Sequence, residues 1–199
     1  MSKSNTTRQR ILDATAVVLS RKGYAGTRLS DVAATAEIQA PAIYYYFNSR
    51  EDLIQEVLWV GIARMREHLI HSLAELPPQT SGLDRILTAV EAHLHYELSI
   101  SDYATATIRN AGQLPDHIRA RQMEEQAKYA LVWRELFDQA GKSDELRPGM
   151  DANLGRLFVI GSLNWAAEWW TPKSGSMDEV VHAAREFVRA AIANVDKAN

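Results

Sequence analysis

The chain has 199 residues, 46% of them hydrophobic and 24% charged, with a net charge of −3 and no cysteine. That composition excludes a disulfide framework, thiolate catalysis and Cys-based zinc sites. No apolar run nears the roughly 18 residues needed to cross a bilayer, and the polar start Met1-Ser2-Lys3-Ser4-Asn5 has no signal-peptide core, so a cytoplasmic protein without a membrane partner is expected.

Helical periodicity dominates and strand alternation is absent, which predicts an all-α chain of about nine helices. The first runs from about Thr7 to Lys22, with Ile11, Ala14, Val18 and Leu19 on one face, and Gly23 stops it. Thr27 serves as N-cap of a second helix whose inner face is Leu29, Val32, Ala33 and Ala36. A third runs from about Ala40 to Phe47, with Pro41 in its first turn. Ser49-x-x-Asp52 reads as a capping box for a fourth, which extends to about Ala74. After the breaker Leu76–Gly82, a helix carries Leu83, Ile86, Leu87, Val90, Leu94 and Leu98. Ser101 opens another, ended by Gly112 to Pro115. A long helix spans about Asp116 to Ala140, and Gly141 to Gly149 is a loop. Asp151 to Trp170 is helical, Thr171 to Gly175 turns, and the last helix spans about Met177 to Val195.

Short capped helices around a tight turn, followed by Tyr44-Tyr45-Tyr46, form a helix-turn-helix with an aromatic, basic reading surface. Residues 1–53 hold seven Lys/Arg against five Asp/Glu, while the remainder holds fifteen against twenty. The basic quarter is thus the one that suits double-stranded DNA. Gly23-Tyr24-x-x-Thr27, Asp31-Val32-Ala33 and Ile43-Tyr44-Tyr45-Tyr46-Phe47-x-x-Arg50-Glu51-Asp52-Leu53 resemble the signature of TetR-family transcriptional regulators. The resemblance implies an all-α homodimer with a DNA-reading domain at 1–50 and a ligand-binding and dimerisation domain at 51–199.

Residue by residue, Thr27 at a helix start can offer its hydroxyl to a phosphate, and Arg28 can reach a phosphate or a guanine edge. Ile43 and Phe47, four apart, face inward and turn Tyr45 outward to a thymine methyl or a phosphate. Tyr44 and Tyr46 can bond phosphate oxygens, Arg50 can clamp the DNA backbone, and Gln39 and Ala40 begin the recognition helix. Arg8 and Arg10 either reach flanking phosphates or lie along a solvated helix face. The turn departs from the family pattern: Glu37 stands where glycine is common, and an L-residue in left-handed conformation costs on the order of 1 kcal/mol. Few polar base readers remain, so DNA shape is expected to carry much of the specificity.

Further on, small residues recur on the last two helices: Gly155, Val159, Ser162 and Ala166, then Ala184, Ala191 and Val195. They form either an isologous four-helix dimer interface or packing within the monomer. All five tryptophans lie beyond residue 58. His93, Tyr96, Tyr103, Arg109, Tyr129, Trp133 and Trp165 either line an apolar ligand pocket or belong to ordinary core. Asn164-Trp165-Ala166-Ala167-Glu168-Trp169-Trp170-x-Pro172-x-x-Gly175 resembles the last part of TetR-family regulators of fatty-acid or sterol degradation. Such regulators answer to acyl-CoA thioesters, which implies that class of effector, with Arg109, Arg119 and Arg121 as cations for its phosphates. No histidine spacing matches a metal site, and no nucleophile elbow, P-loop or dinucleotide fingerprint is present, so neither enzyme nor cofactor is expected. The expected function is a ligand-responsive repressor of a pseudo-palindromic operator. The rival is a helical adaptor whose degenerate helix-turn-helix binds no DNA.

Overall fold

The computed structural model describes residues 3–100, 102–110, 115–171 and 173–196. Among them the regular elements are helical: α1 (Lys3–Gly26), α2 (Leu29–Thr35), a 3₁₀ helix (Ala40–Tyr45), α3 (Arg50–Ala74), α4 (Gly82–His95), α5 (Asp102–Asn110), α6 (Asp116–Lys142), α7 (Ala152–Asn164), α8 (Ala166–Trp169) and α9 (Met177–Ile192). No described helix is long and apolar enough to cross a membrane. The expected helix start at Ser101 and the stop at 112–114 lie outside the described residues. The chain divides into two compact units, one of Met1–Arg64 with Ser101–Gln126, the other of Met65–Ile100 with Ala127–Asn199. The expected cut after residue 50 was continuous; these units are not.

In the first unit, Ile11, Leu12, Leu19, Val32, Ile43, Phe47, Leu53, Ile54 and Leu58 form a closed core with Tyr103 and Ala106 of α5. Gly23 breaks α1, with φ 68° and ψ 176°. The residue at the N-cap position of α2 is Arg28, in extended conformation and without a side-chain cap, rather than Thr27. Ser49 Oγ accepts the Asp52 N–H (3.0 Å), while Asp52 accepts the Asn48 N–H (3.1 Å), so the box closes one residue earlier than the pattern implies. At the end of α2 the Ile38 N–H reaches Ala33 O (3.0 Å) and the Glu37 N–H reaches Ala34 O (3.2 Å). This is a Schellman closure, which places its C′ residue in left-handed conformation. Glu37 is that residue, with φ 54°. Glu37→Gly is therefore expected to raise stability by about 0.5–1 kcal/mol, the left-handed strain relieved less the backbone entropy of glycine. An unchanged or lower thermal midpoint would refute this.

The recognition segment is a 3₁₀ helix rather than the α-helix expected to Phe47, and Tyr46 caps it. α5 approaches α3 so closely that a Cβ on Gly61 would lie 2.7 Å from Thr107 Oγ1. Asn110 bonds α5 to the α1 kink: its Oδ1 accepts the Tyr24 N–H (2.7 Å), and its Nδ2 donates to Ala106 O (2.7 Å). Tyr103 donates to Asp13 (2.9 Å), and burial, then Asp13, push its phenol far above the usual range.

In the second unit, α4 buries Leu83, Ile86, Leu87, Val90 and Leu94, as its spacing predicts. Ser81 caps it by accepting the Asp84 N–H (3.0 Å). The expected continuation to Leu98 instead widens into a π turn over Tyr96–Ile100, a distortion frequent at functional positions. α9 is held to α4 by Arg185 on Glu91 and Arg189 on Asp84 (3.1 Å). Ser176 and Glu179 form a reciprocal capping box. The segment expected as one helix from Asp151 is capped by Asp151 and interrupted at Trp165. α9 ends at Ile192 because the next residue, Ala193, turns extended and bridges to Leu146.

Candidate nucleic-acid interface and interior polar cluster

The 3₁₀ helix divides its side chains sharply. Ile43 and Phe47 are 1% and 3% exposed, whereas Tyr45 is 87% and Tyr44 59% exposed. Buried neighbours thus fix the backbone that carries an open phenol. Gln39, just ahead of this helix, and Arg28, at the start of α2, are also exposed, and Ala40 and Tyr46 are half-buried. The exposed groups are two phenols, one amide and one guanidinium, all of types able to meet phosphates or base edges.

Four of the expected DNA contacts bond within the unit. Thr27 is buried, and its hydroxyl donates to Gly23 O (2.7 Å), so it is spent on the α1 kink. Arg50 faces inward: Nε donates to Thr27 O (2.6 Å), Nη2 to Tyr24 O, and the guanidinium lies 4.6 Å over the Tyr24 ring. It also pairs with Glu51 (2.9 Å). Arg50 pins the α1–α2 connection instead of reaching outward. Arg10 donates to Ala36 O, closing the end of α2. Arg8 sits 5.1 Å from the Phe47 ring centre and pairs with Glu56 (2.9 Å). Glu56 also takes Arg121 of α6 (2.5 Å), whose guanidinium stacks 4.5 Å over Trp59. Burial disfavours the Glu56 charge, but hydrogen bonds and charges from Arg8 and Arg121 outweigh it and hold the carboxyl below its usual range.

The second unit contains a buried polar cluster. His93 Nδ1 and the Tyr129 hydroxyl are 2.7 Å apart, and His93 Nε2 lies 2.8 Å from Glu97 Oε2, an ion-pair distance without in-line hydrogen-bond geometry. Glu97 Oε1 accepts the Ala167 N–H (3.2 Å), so the π turn is tied to α8. Trp133, fully buried, stands edge-on to both His93 and Tyr129. Burial drives the Tyr129 phenol far above its usual range; Trp133 works against this and Glu97 with it. Of the seven candidate ligand residues, His93, Tyr129 and Trp133 meet here. Tyr96 is buried but packs against His68 (5.8 Å). Tyr103 and Arg109 belong to the first unit, and Trp165 is 65% exposed. Among the described residues no group of three or more acidic or imidazole side chains is placed to hold a metal.

Residues 11–57 match the family model for bacterial regulatory proteins of the tetR family, and residues 79–193 match the tetracyclin repressor-like C-terminal domain. The chain belongs to the TetR family. A relative, HTH-type transcriptional repressor KstR2 of Mycobacterium tuberculosis, is 24% identical over 173 residues, covering 84% of this chain and 83% of the relative. The fold is shared with AibR, solved with isovaleryl coenzyme A and operator DNA (TM-score 0.81, 20% identity, 93% of this chain and 97% of that one). It is shared too with FadR of Bacillus subtilis, solved with stearoyl-CoA (TM-score 0.74, 18% identity, 90% and 96%).

Within this TetR-family chain the expected dimer stripe is not a single surface. Val159 and Ala166 are buried in the unit, Gly155 abuts Met150 and Phe137, and Val195 lies past the end of α9. Ser162, Ala191 and Val195 are exposed, and Gly155 and Ala184 are half-buried. Of the glycines on α7 only Gly155 sits against neighbouring side chains, whereas Gly161 and Ser162 are exposed. The outward side carries Leu154, Leu157, Phe158 (78% exposed) and Trp165, with Phe187 on α9. A cleft of about 430 Å³ runs between α7–α8 and α9, lined by Leu163, Ala166, Trp169, Ala184 and Phe187 among others. The apolar spacing 154, 157, 158, 161, 165 was the available signal.

Proposed function

We propose that the chain is a homodimeric repressor that binds a pseudo-palindromic operator and is released by a largely apolar effector of the acyl-CoA class. The observation that carries the DNA reading is Tyr45, 87% exposed on a backbone fixed by buried Ile43 and Phe47. The intact Schellman closure at Glu37 favours a working reading head over an adaptor with a degenerate turn. The open apolar surface of α7 and α9 supports pairing of two copies, since large exposed patches of this kind mark interaction sites. Pairing in turn supplies two reading heads for half-sites about 34–36 Å apart. For the effector, support comes from the interior cluster of His93, Tyr129 and Trp133, and from the acyl-CoA complexes of the structural relatives AibR and FadR. In this reading α3, which contributes residues to both units, transmits effector binding to the half-site spacing.

The test is binding to DNA taken from upstream of the chain's own gene. With about 6–10 phosphate contacts, affinity is expected to fall roughly 10³–10⁵-fold between 50 and 200 mM salt. Effector should lower it by a further 5–150-fold, roughly the range of allosteric coupling. Absence of saturable binding at low salt would remove the repressor reading.

A further inference from the structure

Ile38 to Asn48 contain no charged side chain. The element at their centre is the 3₁₀ helix Ala40–Tyr45. With three residues per turn, side chains three apart stand one above another. The row of Ala40, Ile43 and Tyr46 is the inward one, with Ile43 buried and its two neighbours half-buried. A second row, Pro41 and Tyr44, is exposed, and a third passes from half-buried Ala42 to exposed Tyr45. An α-helix would instead have set Pro41 beside Tyr45. Gln39 precedes these rows in extended conformation, exposed, and its amide does not cap the helix.

In a helix-turn-helix the first helix crosses the DNA backbone, while the N-terminal part of the second meets base edges in the major groove. Arg28, at the start of α2, therefore falls to phosphate. What remains for the bases is one amide and a set of apolar and aromatic surfaces. Guanine is read chiefly by arginine or lysine, and cytosine by a carboxylate. Adenine is read by the paired donor and acceptor of an amide, and thymine by apolar contact with its methyl group. The outward rows lack the first two kinds of reader and hold the last two.

We propose that the 3₁₀ helix reads A·T base pairs: Gln39 takes an adenine, and Pro41, Tyr44 and Tyr45 pack on thymine methyl groups. The core of each operator half-site is then a short A·T block, with no guanine under this helix. This rests on the DNA reading above and names the bases.

The experiment selects bound duplexes from a random DNA library with the full chain, then titrates the selected site by fluorescence anisotropy. Half-sites with an A·T core are expected. Deoxyuridine in place of thymidine removes only the methyl groups. Within the core it should weaken binding about 4-fold per contacted methyl, the transfer worth of one such group. Outside the core it should change nothing. Gln39→Ala should lose about 5- to 150-fold discrimination against G·C at one position of each half-site, the worth of one bidentate pair. Gln39 is exposed, so this variant should melt as wild type. A G·C core, or bound DNA without sequence preference, overturns the proposal and leaves DNA binding itself in place. Full affinity for the uracil-substituted core does the same, as does an undiminished adenine preference in Gln39→Ala. Should the library yield no bound DNA at low salt, the DNA reading fails and this proposal with it.

Discussion

Tyr45→Ala is expected to weaken operator binding by about 30-fold to 10⁴-fold while leaving the melting temperature unchanged. Each half-site loses one aromatic contact to a base or phosphate, worth about 1–3 kcal/mol, and a two-fold complex loses it twice. The side chain is 87% exposed and contributes almost nothing to the core, so stability has no reason to move. Fluorescence anisotropy on labelled operator, beside a thermal melt, checks both halves. Wild-type affinity in this variant would move the reading surface away from the 3₁₀ helix.

Arg50→Ala is expected to fail differently. The guanidinium serves Thr27 O and Tyr24 O and covers the Tyr24 ring. Its removal leaves two carbonyls without their donor and forfeits a cation–π contact, a loss of about 2–4 kcal/mol. Operator affinity should fall together with the melting temperature, because the α1–α2 connection loosens. Arg50→Lys should recover little, since one ammonium cannot reproduce the fork. A variant with full stability and lost DNA binding would return Arg50 to the phosphate role that its position suggests. The contrast between the two variants separates a side chain that touches DNA from one that shapes what does.

Where punctuation is local, the elements of this chain are legible in its residues. Pro41 and Ser49 mark boundaries that the 3₁₀ helix and α3 respect, and Gly23 marks the kink in α1, because a cap or a break depends on neighbours within four residues. Ile43 and Phe47 inward with Tyr45 outward is equally a matter of spacing. What could not be read is where long side chains end. Arg8, Arg10 and Arg50 stand on a basic segment and look available to phosphate, yet each finds an acceptor inside the unit, on Glu56, Ala36 and Thr27. The stripe of Gly155, Val159, Ser162 and Ala166 misled for a related reason. Spacing says that residues share a face, but only packing says which way the face looks.

Asn110 and Tyr103 of α5 bear on how regulators of this kind could be recombined. The core beneath the reading head is closed by Tyr103 and Ala106, and the kink of α1 rests on the Asn110 side chain. A hybrid joined at residue 64 would leave behind residues 101–126, which belong to the same compact unit. It would carry Tyr24 without its acceptor and Asp13 without its phenol. The DNA-reading portion is therefore not a cassette that can be cut from the front of the chain. An exchange of specificities between two such regulators has to trade a discontinuous block, and any natural shuffling that respected only the front segment would have produced a head that does not hold its shape.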